Sequence, residues 1–167
     1  QHWRAVALDR ERHEPAQPES SGAVVPEHRG ACGGGTYAEA LTIQTSVTLR
    51  GGFSSDFLSR DVTAWPSIID GQDELRTGGV LTFLASSGSD AFVDGFTITG
   101  GNDTRGYGGG VYVLGSSPTI TSCTITGNHT ETGAGYMYGG GGVGIRGSGA
   151  PPYFSNCKII GNFVTQA

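Results

Sequence analysis

The second half of the chain repeats itself. Phe96-Thr-Ile-Thr-Gly-Gly-Asn102, Cys123-Thr-Ile-Thr-Gly-Asn128 and Cys157-Lys-Ile-Ile-Gly-Asn162 are versions of one segment, and the last two come after Gly108-Gly-Gly-Val111-Tyr-Val113 and Gly140-Gly-Gly-Val143-Gly-Ile145. A unit recurring roughly every 20 to 50 residues buries too little by itself and gains a core only by stacking on its neighbours. The repeats therefore point to an elongated stack, with a core that runs along an axis. With 30 glycines and 15% charged residues in 167, long helices are disfavoured. Glycine has no triplet period, which excludes collagen, and Thr, Ser, Val and Ile alternate over short runs as half-buried strands do. The expectation is an all-β solenoid.

Three strands per turn are expected in the two clearest units: Val111 to Leu114, Thr119 to Thr121 and the strand ending at Asn128, then Val143 to Arg146, Tyr153 to Ser155 and the strand ending at Asn162. Val111, Val113, Ile120, Cys123 and Ile125 should point inward, stacked on Val143, Ile145, Phe154, Cys157 and Ile159. The glycines before each first strand supply positive φ or room. Cys123 and Cys157 are read as stacked buried thiols, because side chains of stacked parallel strands point the same way and suit a disulfide poorly. Cys32 stands outside the repeats. Asn128 and Asn162, with Asn102 offset by one extra glycine, are expected to form a structural ladder at a corner, where Asn also tolerates the left-handed conformation. Asn128-His-Thr130 matches the N-glycosylation pattern.

Residues 1–34 differ from the rest of the chain and read as an atypical leader or capping segment, with a short helix over Val6 to His13 and an extended linker from Pro15 to Pro26. Residues 35–167 form the expected β domain. Leu41-Thr-Ile43 and Val47-Thr-Leu49 alternate as strands, Phe53 to Trp65 is a longer excursion, and the strand phase around Val80 stays open.

The run Gly35-Thr-Tyr-Ala-Glu-Ala-Leu-Thr-Ile43, with Ser46-Val-Thr-Leu-Arg-Gly-Gly-Phe53 and Pro66-Ser-Ile-Ile-Asp-Gly71, resembles the opening coils of bacterial right-handed parallel β-helix proteins of the pectin-lyase-like fold. The later Gly-Gly-Gly-Val and Cys-Thr-Ile-Thr-Gly-Asn segments are similar to repeats of polymorphic outer-membrane-type surface proteins. The resemblance covers residues 35–162. It implies a right-handed parallel β-helix of about four to five coils, three strands per coil, in a secreted or cell-surface protein. Relatives with more coils make this chain look like a piece of a longer solenoid whose last coil offers an open edge. Self-association through that edge, or through the N-terminal segment, is expected.

Charge and spacing exclude several classes. At a net charge of −5, with no Lys/Arg cluster, nucleic acid is not the partner. No apolar run could cross a bilayer or serve as a signal-peptide core. No metal site or cofactor is expected, since His2, His13, His28 and His129 are dispersed and no lysine succeeds the glycine runs at phosphate-loop spacing. Enzymes of this fold cleave acidic polysaccharides with clustered carboxylates, but Asp70, Asp73, Asp90, Asp94, Asp103 and Arg146 are scattered, so no catalytic residues are assigned. Outward threonines at Thr97, Thr99, Thr124 and Thr126 give a minor ice-binding alternative, broken by Lys158 and Ile160. The connections that vary in length collect Asp103, Arg105, Tyr107, His129, Glu131, Tyr136 and Tyr138, a set suited to a glycan or another surface ligand. The expected function is thus non-catalytic, loop display for such a ligand or a structural spacer, and the alternative that the resemblance implies is a polysaccharide lyase or hydrolase fragment.

Overall fold

The computed structural model describes residues 28–85, 91–132, 139–147 and 150–166. Tyr136, Tyr138, Asp90, the helix expected over Val6 to His13 and the linker to Pro26 lie outside the described residues. Within them the chain is all-β, with eighteen strands and no helix. In chain order these are β1 (His28–Gly33), β2 (Gly35–Ala38), β3 (Leu41–Ile43), β4 (Val47–Phe53), β5 (Ser67–Asp70), β6 (Leu75–Arg76) and β7 (Leu81–Leu84). They continue with β8 (Ala91–Asp94), β9 (Phe96–Thr99), β10 (Asn102–Asp103), β11 (Val111–Leu114), β12 (Thr119–Thr121), β13 (Thr124–Thr126) and β14 (His129–Thr132). The last four are β15 (Val143–Arg146), β16 (Tyr153–Ser155), β17 (Lys158–Ile160) and β18 (Phe163–Gln166).

The strands form four sheets: sheet A with order β1-β4-β8-β12-β16, sheet B with β2-β5-β9-β13-β17, sheet C with β3-β7-β11-β15 and sheet D with β6-β10-β14-β18. Every ladder in them is parallel, and the chain visits the sheets in the same rotation, an arrangement compatible with a β-helix. Sheet D departs from the three strands expected. After the Asn corner the chain stays extended for two to four residues, enough to pair with the neighbouring pass. Strands that short have too few alternations to be seen in a sequence. β1 pairs with β4, His28 opposite Val47, so sheet A begins before Gly35.

The core is set by register. Because side chains alternate with period two, in-register parallel strands place like residues over like. Ile69, Ile98, Ile125 and Ile159 make one column through sheet B. Leu49, Val93, Ile120 and Phe154 make another through sheet A. In sheet C, Ile43, Phe83, Val113 and Ile145 line up beside Leu41, Leu81, Val111 and Val143, which settles the phase after Val80. Each such side chain removed from water contributes about 1.5–3 kcal/mol. Burial is complete in the middle of the columns and fails at one end: Ile125 and Val113 are 0% exposed, Ile159 50% and Ile145 53%.

The asparagines take two roles. Asn128 and Asn162 stack, with the Asn128 backbone N–H and Nδ2 both donating to Asn162 Oδ1 at 3.0 and 2.9 Å. Asn128 Nδ2 also donates to the carbonyls of Ile98 and Thr126, and Asn162 Nδ2 to those of Ile125 and Ile160. Asn102 stands outside this ladder. Gly101 takes the matching place and donates its N–H to Asn128 Oδ1 at 3.0 Å, while Asn102 pairs with His129 one residue further along. The extra glycine displaces it. The left-handed residue at this corner is the preceding glycine, Gly100, Gly127 or Gly161, with φ of 66°, 63° and 64°. The asparagines supply hydrogen bonds to buried carbonyls, and glycine supplies the turn. Asn128 is fully buried, so a glycan on its amide is incompatible with this fold.

These corners explain the companion motif. A Cβ on Gly110 would sit 2.7 Å from Asn128 Nδ2, and one on Gly142 2.8 Å from Asn162 Nδ2. The Gly-Gly-Gly-Val and Gly-Asn segments of a repeat therefore meet across the interior, and the small residue of one makes room for the amide of the other.

Candidate functional site

The loop after β10 is built around one carboxylate. Asp103 is fully buried and accepts hydrogen bonds from the backbone N–H groups of Gly78 at 2.9 Å, Arg105 at 3.2 Å, Gly108 at 3.1 Å and Tyr107. Such charge-assisted bonds offset the cost of burying the anion and tie residues 103–108 into one conformation. Tyr107 is thereby laid over sheet C, stacked on Tyr112 at 5.0 Å between centroids and 14° between planes. The Arg146 guanidinium lies 6.0 Å from the Tyr107 ring. A glycine is required beneath, because a Cβ on Gly144 would collide with the Tyr107 carbonyl. Burial pushes the Tyr112 hydroxyl above its ordinary pKa.

Sheet D sets the other predicted residues beside this shelf without gathering them into one pocket. Asp103 pairs with Thr130, and both are fully buried. His129 faces the other way, its ring stacked on Phe163 at 4.5 Å and Nε2 2.6 Å from Thr165 Oγ1. Glu131 comes next but one on the same strand, opposite Thr165. Arg105 is exposed on the loop. Asp103 thus lies under the shelf as its organiser, while Tyr107 and Arg105 lie on the loop and His129 and Glu131 on β14.

A groove that the sequence did not reveal lies where sheet A turns into sheet B. It has a volume of about 370 Å³, with Thr97, Thr124 and Lys158 along one side, Ser122 and Asn156 at the corner, and Val62, Thr63 and Pro66 opposite. Thr97, Thr124 and Lys158 are in register on β9, β13 and β17, so the threonine row ends in an amine. The facing wall is the excursion after Phe53. It is held down by Arg60, which pairs with Asp94 at 2.8 Å and donates through Nε to the Gly51 carbonyl at 2.9 Å. Asp94 also accepts from Thr121 Oγ1. A wall and floor contributed by segments so far apart leave no local pattern. The best signal for it in the sequence is the charged set Asp56, Arg60 and Asp61 within the excursion.

Two further carboxylates are committed to turns. Asp70 accepts from the Gln72 N–H at 2.8 Å, and Asp61 caps the N–H groups of Thr63 and Ala64, which holds its pKa below the usual range. Among the described residues no group of three or more His, Cys, Asp or Glu is placed to hold a metal ion, and no helix is long and apolar enough to cross a membrane. Cys32, Cys123 and Cys157 are free thiols. The neighbouring Cys123 thiol holds Cys157 below the ordinary thiol range, while the same neighbour and burial push Cys123 well up. Burial, with Glu39 nearby, raises Cys32 to about 11.

Comparison with known families, with curated proteins and with solved structures found no match.

Proposed function

We propose that the chain is a right-handed parallel β-helix of the pectin-lyase-like kind, each rotation through the sheets being one coil. It acts without catalysis, as a module of a secreted or surface protein that presents its loops to a glycan or another surface ligand. The observation that carries this reading is the Asp103-centred loop. Four backbone N–H groups converge on one buried carboxylate and hold Tyr107 in a fixed place above the sheet. A rigid loop loses little entropy when it binds, and an aromatic ring flanked by a guanidinium suits the apolar face and hydroxyls of a sugar. Glycan-array binding of the full chain tests it. Hits weakened about tenfold or more in Tyr107→Ala, with unchanged circular dichroism, support display. A folded protein that binds no glycan leaves the spacer.

The corner groove favours a second reading, cleavage of an acidic polysaccharide, because Lys158 offers a cation beside the Asn156 amide and two threonine hydroxyls. Release of uronides from a pectin-like substrate, abolished in Lys158→Ala, would replace the first reading. No release retires this one.

A further inference from the structure

Cys123 and Cys157 are set one above the other by backbone geometry as well as by sequence. Each follows a residue in the left-handed conformation, Ser122 with φ of 50° and Asn156 with φ of 52°. Each also opens a strand of sheet B whose register puts Thr124 opposite Lys158. The two side chains therefore leave the same corner in the same direction, one rung of about 4.8 Å apart. Their surroundings match too. The Cys157 thiol donates to the Ile120 carbonyl at 3.4 Å and the Cys123 thiol reaches the Val93 carbonyl at 4.0 Å, Val93 and Ile120 being register partners on β8 and β12. Both thiols are free.

A disulfide wants the two β-carbons about 3.8 Å apart and a torsion of about 90° across the sulfurs, which stacked side chains pointing the same way supply poorly. The same spacing suits another bridge. Two metal–sulfur bonds of about 2.3 Å laid end to end span about 4.6 Å, so one ion in linear two-coordination fits between the sulfurs with little movement of either strand. We propose that Cys123 and Cys157 form a two-sulfur site for a soft monovalent cation, copper(I). Thiolates select copper(I) over harder divalent ions. Zinc is disfavoured by number as well, because it takes four ligands and, among the described residues, no third His, Cys, Asp or Glu joins the pair. Binding breaks two S–H bonds, forms two Cu–S bonds and releases two protons to water, with no change of oxidation state. The filled site carries one net negative charge, and the Phe96 N–H, which donates to Cys123 Sγ at 3.5 Å, helps to offset it. Cys123 belongs to the apolar core and Cys157 packs against it, which excludes water as a competing ligand. Cys123 also borders the corner groove, so the pair lies close beneath an open face.

Anaerobic titration of the full chain with copper(I), in competition with the chromogenic chelator bicinchoninate, tests this. One tightly held ion per chain is expected, with a raised melting temperature and an X-ray absorption spectrum showing two sulfur neighbours. Losing a ligand should cost at least as much as losing a group that orients one, so Cys157→Ser should weaken retention about a hundredfold or more. Cys32→Ser, which removes a thiol from β1, should leave it unchanged. Should Cys157→Ser fail to fold, the absorption spectrum of the unmodified chain still decides. Copper(I) held as tightly by a folded Cys157→Ser chain overturns the proposal, as does loss of binding in Cys32→Ser or an ion ligated by nitrogen or oxygen.

Discussion

Two copies of one segment sit in two environments. Cys123-Thr-Ile-Thr-Gly-Asn128 is sandwiched between β9 and β17, and Cys157-Lys-Ile-Ile-Gly-Asn162 has a neighbour on one side only. Ile125 is fully buried and Ile159 half exposed, Asn128 is enclosed and Asn162 less so, and Cys123 is 1% exposed while Cys157 is open enough to react. The letters hardly differ. In a stacked fold, the layer above decides what a core residue contributes, so equal motifs need not carry equal free energy.

The largest contrast should be in the apolar column. Ile125→Ala is expected to cost about 2–5 kcal/mol in urea unfolding, because it opens a cavity between two filled layers. Ile159→Ala should cost about 1 kcal/mol, since half its surface is already in water. Equal costs would break the comparison. The asparagines come next. Asn128→Ala strands the Gly101 N–H and two buried carbonyls and should cost on the order of 3 kcal/mol, against about 1 kcal/mol for Asn162→Ala at the open layer.

The thiols provide the smallest effect and the sharpest one. Alkylation should be confined to Cys157, with a rate that rises through a midpoint below the ordinary thiol value. Replacing the donor, Cys123→Ala, should return that midpoint toward the ordinary thiol value. The same depression fixes the sign for stability. A thiol whose folded pKa is depressed contributes stability fully above its ordinary value, and this is lost as pH falls through the lowered folded value. The melting temperature should therefore drop slightly from pH 8 to pH 5, and Cys157→Ser should remove that part of the slope.

Much of the fold was legible because it is periodic. Spacing alone paired Val111 with Val143, Ile120 with Phe154 and Ile125 with Ile159, and the registers agree. Sheet D was not legible, since Asn102–Asp103 spans too few residues to alternate. The extra glycine before Asn102 was visible, but its effect was not: it puts Gly101 at the ladder position and moves Asn102 one place on, opposite His129. The predicted site was only partly legible for a different reason. Asp103, Tyr107 and His129 were visible as chemistry-bearing residues in variable loops, but which of them faces inward depends on the pairing of Asp103 with Thr130. The corner groove depends on an ion pair, Arg60 with Asp94, between residues that no repeat relates.

The contact between Gly110 and Asn128 makes two distant letters behave as one inherited character. Enlarging the glycine alone pushes the amide off its carbonyls, and trimming the amide alone leaves a hole beside bare backbone, so neither change is an easy first step for drift. Lineages descending from this chain should lose or keep the two together, and added length should arrive as whole duplicated units that already carry both.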